Sequence, residues 1–473
     1  MSIGNVIRSI RNIMRKDEGV DGDAQRISQM VWMLFMKIFA DKEEEWKTSR
    51  KEYKSPIPDK LKWQNWAAVT DGLTGDELIE FINEELFPLL KAIHPTDTDQ
   101  SIIIKSVFND TYNYMKSGNL FRQVINEINK IDFSNKNKER HVFNEIYESI
   151  LKELQSAGSS GEFYTPRAVT QFMVEMIDPK IGERILDPAC GTGGFLTCSL
   201  DHLSSQKEFD RSSINIQESI RGVEKKPLPH LLCTTNLILH GIEKPAISRG
   251  NLLAVPYDSW IDKNQVDIVL SNPPFGGQEE NGIEKNFPEE FRTKETADLF
   301  LALIIKILKK NGRAAVVLPD GSLFGEGIKT RIKEELLTKC NLHTIIRLPN
   351  GIFNPYTSIK TNLLFFEKGK TTKNIWYYEM PYPEGIRNFS SSKPVDIKHF
   401  DEIRKWWINR EENKFASNVS IQEIKRRNFN LDIKNTSVVE EKKIPSTDEI
   451  ILSLDRSFQK SKILLDEIKK IVQ

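Results

Sequence analysis

The sequence predicts an α/β protein: a doubly wound, largely parallel sheet preceded by an all-helical region and followed by a helical tail. Three observations carry this. From Ile181 to about Lys370, short apolar runs alternate with helix-length stretches, the pattern of strands covered by helices on both faces. Within that span the run Arg184-Ile185-Leu186 ends in an acid and opens into Asp187-Pro188-Ala189-Cys190-Gly191-Thr192-Gly193-Gly194-Phe195, a strand, a glycine turn and a helix start. Residues 1–155, by contrast, carry almost no period-two alternation.

At 473 residues the chain is too long for one core. We expect a helical domain over 1–155, the sheet-bearing domain over 156–435 and a helical tail over 436–473 suited to partner contact. Lys+Arg and Asp+Glu both number 67, which argues against gripping nucleic acid by charge alone. The four cysteines lack metal-like or disulfide spacing, so buried free thiols in a reducing cytoplasm are expected. Neither a signal peptide nor a membrane span is expected, because the strongest apolar run, Val31 to Ala40, is too short to cross a bilayer.

In order, Asp23 caps a helix from Ala24 to Phe39 that the charged run Asp41 to Glu45 should end. Helical patterns follow at Gly75 to Leu90, Ser101 to Met115, Leu120 to Ile128 and His141 to Leu154. A small-residue linker spans Ser156 to Gly161. Then Glu162-Phe163-Tyr164-Thr165-Pro166-Arg167 opens a helix over Ala168 to Ile177, with Thr165 as N-cap and Pro166 in the first helical position.

Strands are expected at Arg184–Asp187, Ser219–Glu224, Ala246–Gly250, Val266–Ser271, Arg313–Leu318, His343–Leu348 and Thr361–Glu367. Helices fall between them at Phe195–Leu203, Pro227–Gly241, Ala297–Lys310 and Glu326–Thr338. No helix separates the last two strands, so that pair should be antiparallel. After Lys370 the pattern decays, and residues such as Trp376-Tyr377-Tyr378 receive no assignment. Ser446 to Glu449 resembles a capping box; beyond it Ile451, Leu454, Phe458, Ser461, Leu465, Ile468 and Val472 mark a coiled-coil seam.

The chemistry lies at the strand ends. Asp187 stands beside the glycine turn, Glu224 can accept from both hydroxyls of a ribose, and Asn251 is placed to meet an adenine edge. No lysine follows the glycines and the spacing is not Gly-x-Gly-x-x-Gly, so ATP and NAD fit poorly and S-adenosylmethionine fits better. Asn272-Pro273-Pro274-Phe275 follows a second buried strand. An exocyclic base amine is a poor nucleophile because its lone pair is delocalised into the ring. Hydrogen bonds from its N–H groups to the Asn272 side-chain oxygen and the Pro273 carbonyl would localise that pair, the prolines would stiffen the carbonyl, and Phe275 would stack on the base.

On these residues the chain resembles the S-adenosylmethionine-dependent amino-methyltransferases acting on adenine N6 in DNA. Glu162 to Arg167 precedes the cofactor turn, as in the subgroup where this segment wraps the methionine end. With the helical N-terminal region and the phrases Gly312 to Pro319, Leu348 to Phe353 and Lys360 to Phe366, it closely resembles the modification subunit of a type I restriction–modification system. The resemblance implies a Rossmann-like methyltransferase sheet and a cofactor site of Glu162, Phe163, Tyr164, Thr165, Pro166, Arg167, Asp187, Ala189, Gly191, Thr192, Gly193, Gly194, Glu224 and Asn251. Asn251 stands where many relatives have Asp. It further implies a flipped adenine held by Asn272, Pro273, Pro274 and Phe275, with Phe353 as second aromatic and Tyr356 as its rival. The implied partners are double-stranded DNA, a specificity subunit clasped by two modification subunits, and a restriction subunit. A glutamine methyltransferase is the competing enzyme, but such enzymes carry Tyr at the position of Phe275. An inactive scaffold is the competing non-enzyme.

Overall fold

The computed structural model describes residues 3–434 apart from 50–51, 70–71, 95–98, 132, 134–163, 208, 211–212, 355–356, 358, 387 and 391–392, together with a few residues between 451 and 462. The expected helix His141 to Leu154, the linker after it and the capping box Ser446 to Glu449 lie outside the described residues.

The N-terminal region is helical, as its pattern requires. Helix α1 (Ile3–Met14) packs on α2 (Asp23–Ser49). Helix α2 carries Trp32, Phe35 and Phe39 fully buried in the helical core. The charged run does not end α2. Its charges are absorbed on the helix surface by Lys37–Asp41, Lys42–Glu45 and Lys47–Glu44 pairs at three- and four-residue spacing. Gly75–Glu80 continues through a π-helical turn, Phe81–Leu86, into Phe87–Ala92. Helix α3 (Asp99–Asn109) stops well before Met115. The backbone beyond it is spent on side chains of α2 and of the turn between α1 and α2: Tyr114 N donates to Gln29 Oε1 at 2.8 Å, and Lys116 and Ser117 N donate to the Asp17 carboxylate at 3.0 and 2.9 Å. Helix α4 (Gly118–Ile128) follows, capped by Ser117.

After α5 (Arg167–Ile177) come β1 (Ile185–Asp187), α6 (Gly194–Ser204), β2 (Ile220–Glu224), α7 (Pro227–Leu239), β3 (Ala246–Arg249), β4 (Val266–Ser271), α8 (Thr296–Ile307) and β5 (Leu308–Pro319). Then follow α9 (Asp320–Phe324), α10 (Ile328–Lys339), β6 (Cys340–Arg347) and β7 (Thr361–Lys368). All seven expected strands form, although β5 begins at Leu308 rather than Arg313 and so shortens the expected helix before it. β7 runs antiparallel to both β5 and β6, as expected from the missing crossover.

Two strands were not expected. β8 (Asn374–Glu379), which includes Trp376-Tyr377-Tyr378, pairs parallel with β6, and β9 (Ala416–Ser420) pairs antiparallel with β8. The sheet order is β3-β2-β1-β4-β5-β7-β6-β8-β9.

Helix α7 belongs to both halves of the molecule. Leu231, Leu232, Ile238 and Leu239 enter the helical core, while Cys233 and Leu237 enter the sheet core. Arg249, at the end of β3, pairs with Asp110 of the helical region at 3.2 Å. In the tail, the described residues are helical, with Ile451, Leu454 and Phe458 exposed, and Ser461 helical too; Leu465, Ile468 and Val472 lie outside the described residues. Among the described residues no helix is long and apolar enough to cross a membrane.

Candidate active site

β1 and β4 are parallel neighbours, yet the chain leaves β1 toward β2 and leaves β4 toward β5. The loops after their carboxyl ends therefore diverge and open a crevice at the switch point. Asp187 stands at that point, 1% exposed. Its Oδ1 accepts from Ala189 N at 3.1 Å and from Ser271 Oγ at 2.9 Å. Burial pushes its carboxyl up to about 7, with the Glu224 charge adding to the rise and the two hydrogen bonds opposing it.

The glycine turn is shaped by conformation and by contact. Gly191 and Gly193 adopt φ of 52° and 85°, and a Cβ on Gly193 would lie 2.7 Å from Cys233 Sγ on α7. Glu224 ties the turn to the neighbouring strand end, its two oxygens accepting from Gly191 N at 2.9 Å and Lys226 N at 2.7 Å. Cys190, Cys233 and Cys340 are buried free thiols as expected, while Cys198 is half-buried.

Both polar side-chain atoms of Asn251 have partners. Its Oδ1 caps the short turn Leu252–Ala254 by accepting from Leu253 N at 3.0 Å, and its Nδ2 donates to Glu279 Oε2 at 2.8 Å. Glu279 also accepts from Thr296 Oγ1 at 3.2 Å and lies 3.5 Å from Lys225 Nζ. Glu279, Ser271 and Thr296 join the site although no motif in the sequence marks them. Their one local signal is position, since Ser271 precedes Asn272 and Glu279 follows the Gly276-Gly277 pair.

Thr165 does not cap the helix after it. Pro166 occupies the N-cap position and α5 starts at Arg167. The Thr165 hydroxyl instead accepts from Asn272 Nδ2 at 2.9 Å. Asn272 is 9% exposed, and its Oδ1 is buried with no hydrogen-bond partner. An unsatisfied buried acceptor costs roughly 1–3 kcal/mol, a cost tolerated where a ligand brings the missing donor. Pro273 is buried and Pro274 half-buried beside it.

Phe275 and Phe353 are brought together, buried, with ring centroids 6.4 Å apart in an edge-to-face arrangement. Tyr164 leans on the helical core, and Arg167 lies 3.6 Å from Asp201 of α6. Ala189 and Thr192 lie in the turn itself. Glu162, Phe163 and Tyr356 lie outside the described residues.

Known proteins resemble the chain over most of its length. The N-6 DNA methylase family matches residues 138–444, and the HsdM N-terminal domain matches residues 3–128. The methylase subunit of the type I restriction enzyme EcoEI from Escherichia coli is 58% identical over 446 residues, covering 92% of this chain and 90% of that protein. A crystal structure described as a modification subunit of a type I restriction enzyme from Vibrio vulnificus YJ016 superposes with a TM-score of 0.85 at 44% identity, covering 93% and 97% of the two chains. A chain from a structural study of assembly and conformational transition in a type I restriction–modification system gives 0.80 at 33% identity, covering 99% and 98%.

Proposed function

This chain belongs to the N-6 DNA methylase family, among the type I methylase subunits, and from that premise we propose how its site transfers a methyl group to adenine N6. S-adenosylmethionine supplies an electrophilic methyl on a sulfonium. Asp187 meets its ammonium, Glu224 its ribose, and the Gly191-Thr192-Gly193-Gly194 turn gives the backbone close approach. Asn251 keeps the adenine end in register through its cap and its Glu279 contact. Tyr164 to Arg167 border the methionine end, which the family resemblance also assigns to Glu162 and Phe163, and Ala189 lines the turn.

The target adenine is extruded from the duplex, since N6 is not presented for in-line attack inside the stack. Asn272 Oδ1 accepts one N6–H and the Pro273 carbonyl accepts the other, with Pro274 keeping the backbone rigid. Phe275 lies against the base, and Phe353 holds the Phe275 ring from its edge. The two accepted hydrogen bonds return lone-pair density to N6, and the proton leaves to water after transfer. Positioning supplies the catalysis.

The observation that carries this reading is the buried, partnerless Asn272 Oδ1, whose amide nitrogen is already held by Thr165. The chain acts with a specificity subunit that selects the DNA site, two modification subunits to one, and with a restriction subunit from which the methylation protects host DNA. We place it in the cytoplasm. The test is methyl transfer from labelled S-adenosylmethionine to DNA by the co-expressed complex. Asn272→Ala should lower transfer by about two orders of magnitude or more while calorimetric cofactor affinity holds. Retained transfer would remove Asn272 from the mechanism.

A further inference from the structure

Helix α9 and the turn after it serve no purpose in the site described so far, yet they are held with unusual care. Lys333 of α10 is 1% exposed, and its ammonium donates to Leu323 O and Gly325 O, both at 2.8 Å. Leu431 N donates to Leu323 O at 3.0 Å as well. Ser322 Oγ donates to the buried Asp298 at 3.2 Å, and Asn362 Nδ2 donates to Asp320 Oδ1 at 2.7 Å. Burying an ammonium is expensive unless its protons find acceptors. Here the acceptors are the carbonyls on either side of one residue, Phe324, which is 50% exposed.

A single exposed apolar side chain is ordinary on a protein surface. A half-exposed aromatic ring whose flanking carbonyls are gripped by a buried lysine is less so. Its location also matters. β5 pairs with β4 so that Val316 lies opposite Ser271, and α9 begins where β5 ends. The turn therefore rises from the same sheet edge as Asn272, one strand away. Its other neighbour is the segment that enters β7: Pro319 pairs with Thr361, and Asp320 N donates to Lys360 O at 3.0 Å. Ile359, 47% exposed, lies on that segment. Two exposed apolar groups thus lie at the edge that bears the base-binding residues.

Resting on the methylation reading above, we propose that Phe324 is a wedge that enters the base stack at the gap left by the extruded adenine. Extrusion breaks stacking on both faces of a base and costs a few kcal/mol. An apolar ring placed in the gap restores part of that contact and opposes return of the base. The wedge must be stiff, because a ring free to fold away would yield to the returning base, and the Lys333 grip supplies the stiffness. The chemistry at N6 does not involve Phe324. Its contribution is to the population of the extruded state.

The test uses the complex with its specificity subunit and single-turnover methylation of a duplex carrying the target adenine. Phe324→Ala should slow methylation about tenfold on a fully paired duplex and dim 2-aminopurine fluorescence at the target position. Replacing the opposing thymine by an abasic site weakens the pair and should restore the variant to within about twofold of wild type. Phe324→Leu should retain most of the rate on paired DNA. The proposal is overturned by equal rates for wild type and Phe324→Ala on paired DNA, or by a slow variant that the abasic substrate does not rescue. It is also overturned if Phe324→Ala fails to assemble with the specificity subunit, which would make the ring a protein contact. Failure of the underlying reading looks different, since the wild-type complex would then methylate neither duplex.

Discussion

Asn272 and Thr165 are 107 positions apart in the chain yet share the hydrogen bond that orients the reactive amide. Thr165→Val removes the acceptor and keeps the shape. Transfer should fall about tenfold, equivalent to ~1.4 kcal/mol, with cofactor affinity unchanged, whereas Thr165→Ser should keep the rate; single-turnover kinetics and calorimetry separate the two quantities. Asp187 makes a second prediction. With its carboxyl raised to about 7 by burial, the folded state holds that proton more tightly than the unfolded chain, whose value is near 3.8. The stability this group contributes is therefore present at acid pH and lost as pH climbs from about 4 to about 7. Asp187→Asn should abolish this slope in thermal melts of the cofactor-free protein. Cofactor affinity, which needs the carboxylate, should rise over the same window in wild type and stay low and flat in the variant. Asp187, Glu224 and Asn272 were legible in the sequence because each ends a strand or follows one. The Thr165 contact was not, because local capping rules say nothing of a partner on another element.

Elements were legible where a hydrophobic period runs uninterrupted. Most of the strands from β1 to β7 were readable as buried apolar runs; β3, in which Ile247 alone is buried, was readable because Pro245 and Gly250 bound it. β8 and β9 escaped because β8 mixes buried and half-buried residues without clean alternation, and its place beside β6 is set by partners remote in sequence. The charged end of α2 misled for the opposite reason: charges at three- and four-residue spacing support a helix as readily as they end one. The first residue of α4 shows how close elements approach. A Cβ added to Gly118 would lie 1.7 Å from Gly75 O, so two backbones touch there. Gly118→Ala should lower stability by about 1–3 kcal/mol or more, read as a drop in melting temperature.

At the scale of the whole molecule, the helical region and the sheet are coupled through α7. Leu232 is 1% exposed and sits in the helical core, while Cys233 beside it lines the sheet core under the Gly193 turn. Leu232→Ala should cost about 2–5 kcal/mol. Tryptophan fluorescence, which reports Trp32, Trp46, Trp63 and Trp66 of the helical core together with Trp260, Trp376, Trp406 and Trp407 of the sheet region, should show a single melting transition that shifts as a whole with the substitution and with added cofactor; two separated transitions would show independent units. The shared helix also sets a rule for recombining relatives. A chimera that takes residues 3–128 from one family member and the sheet from another inherits a mismatched outer face at positions 231, 232, 238 and 239. Grafts that carry these four side chains along with the helical donor should fold, and those that leave them behind should not.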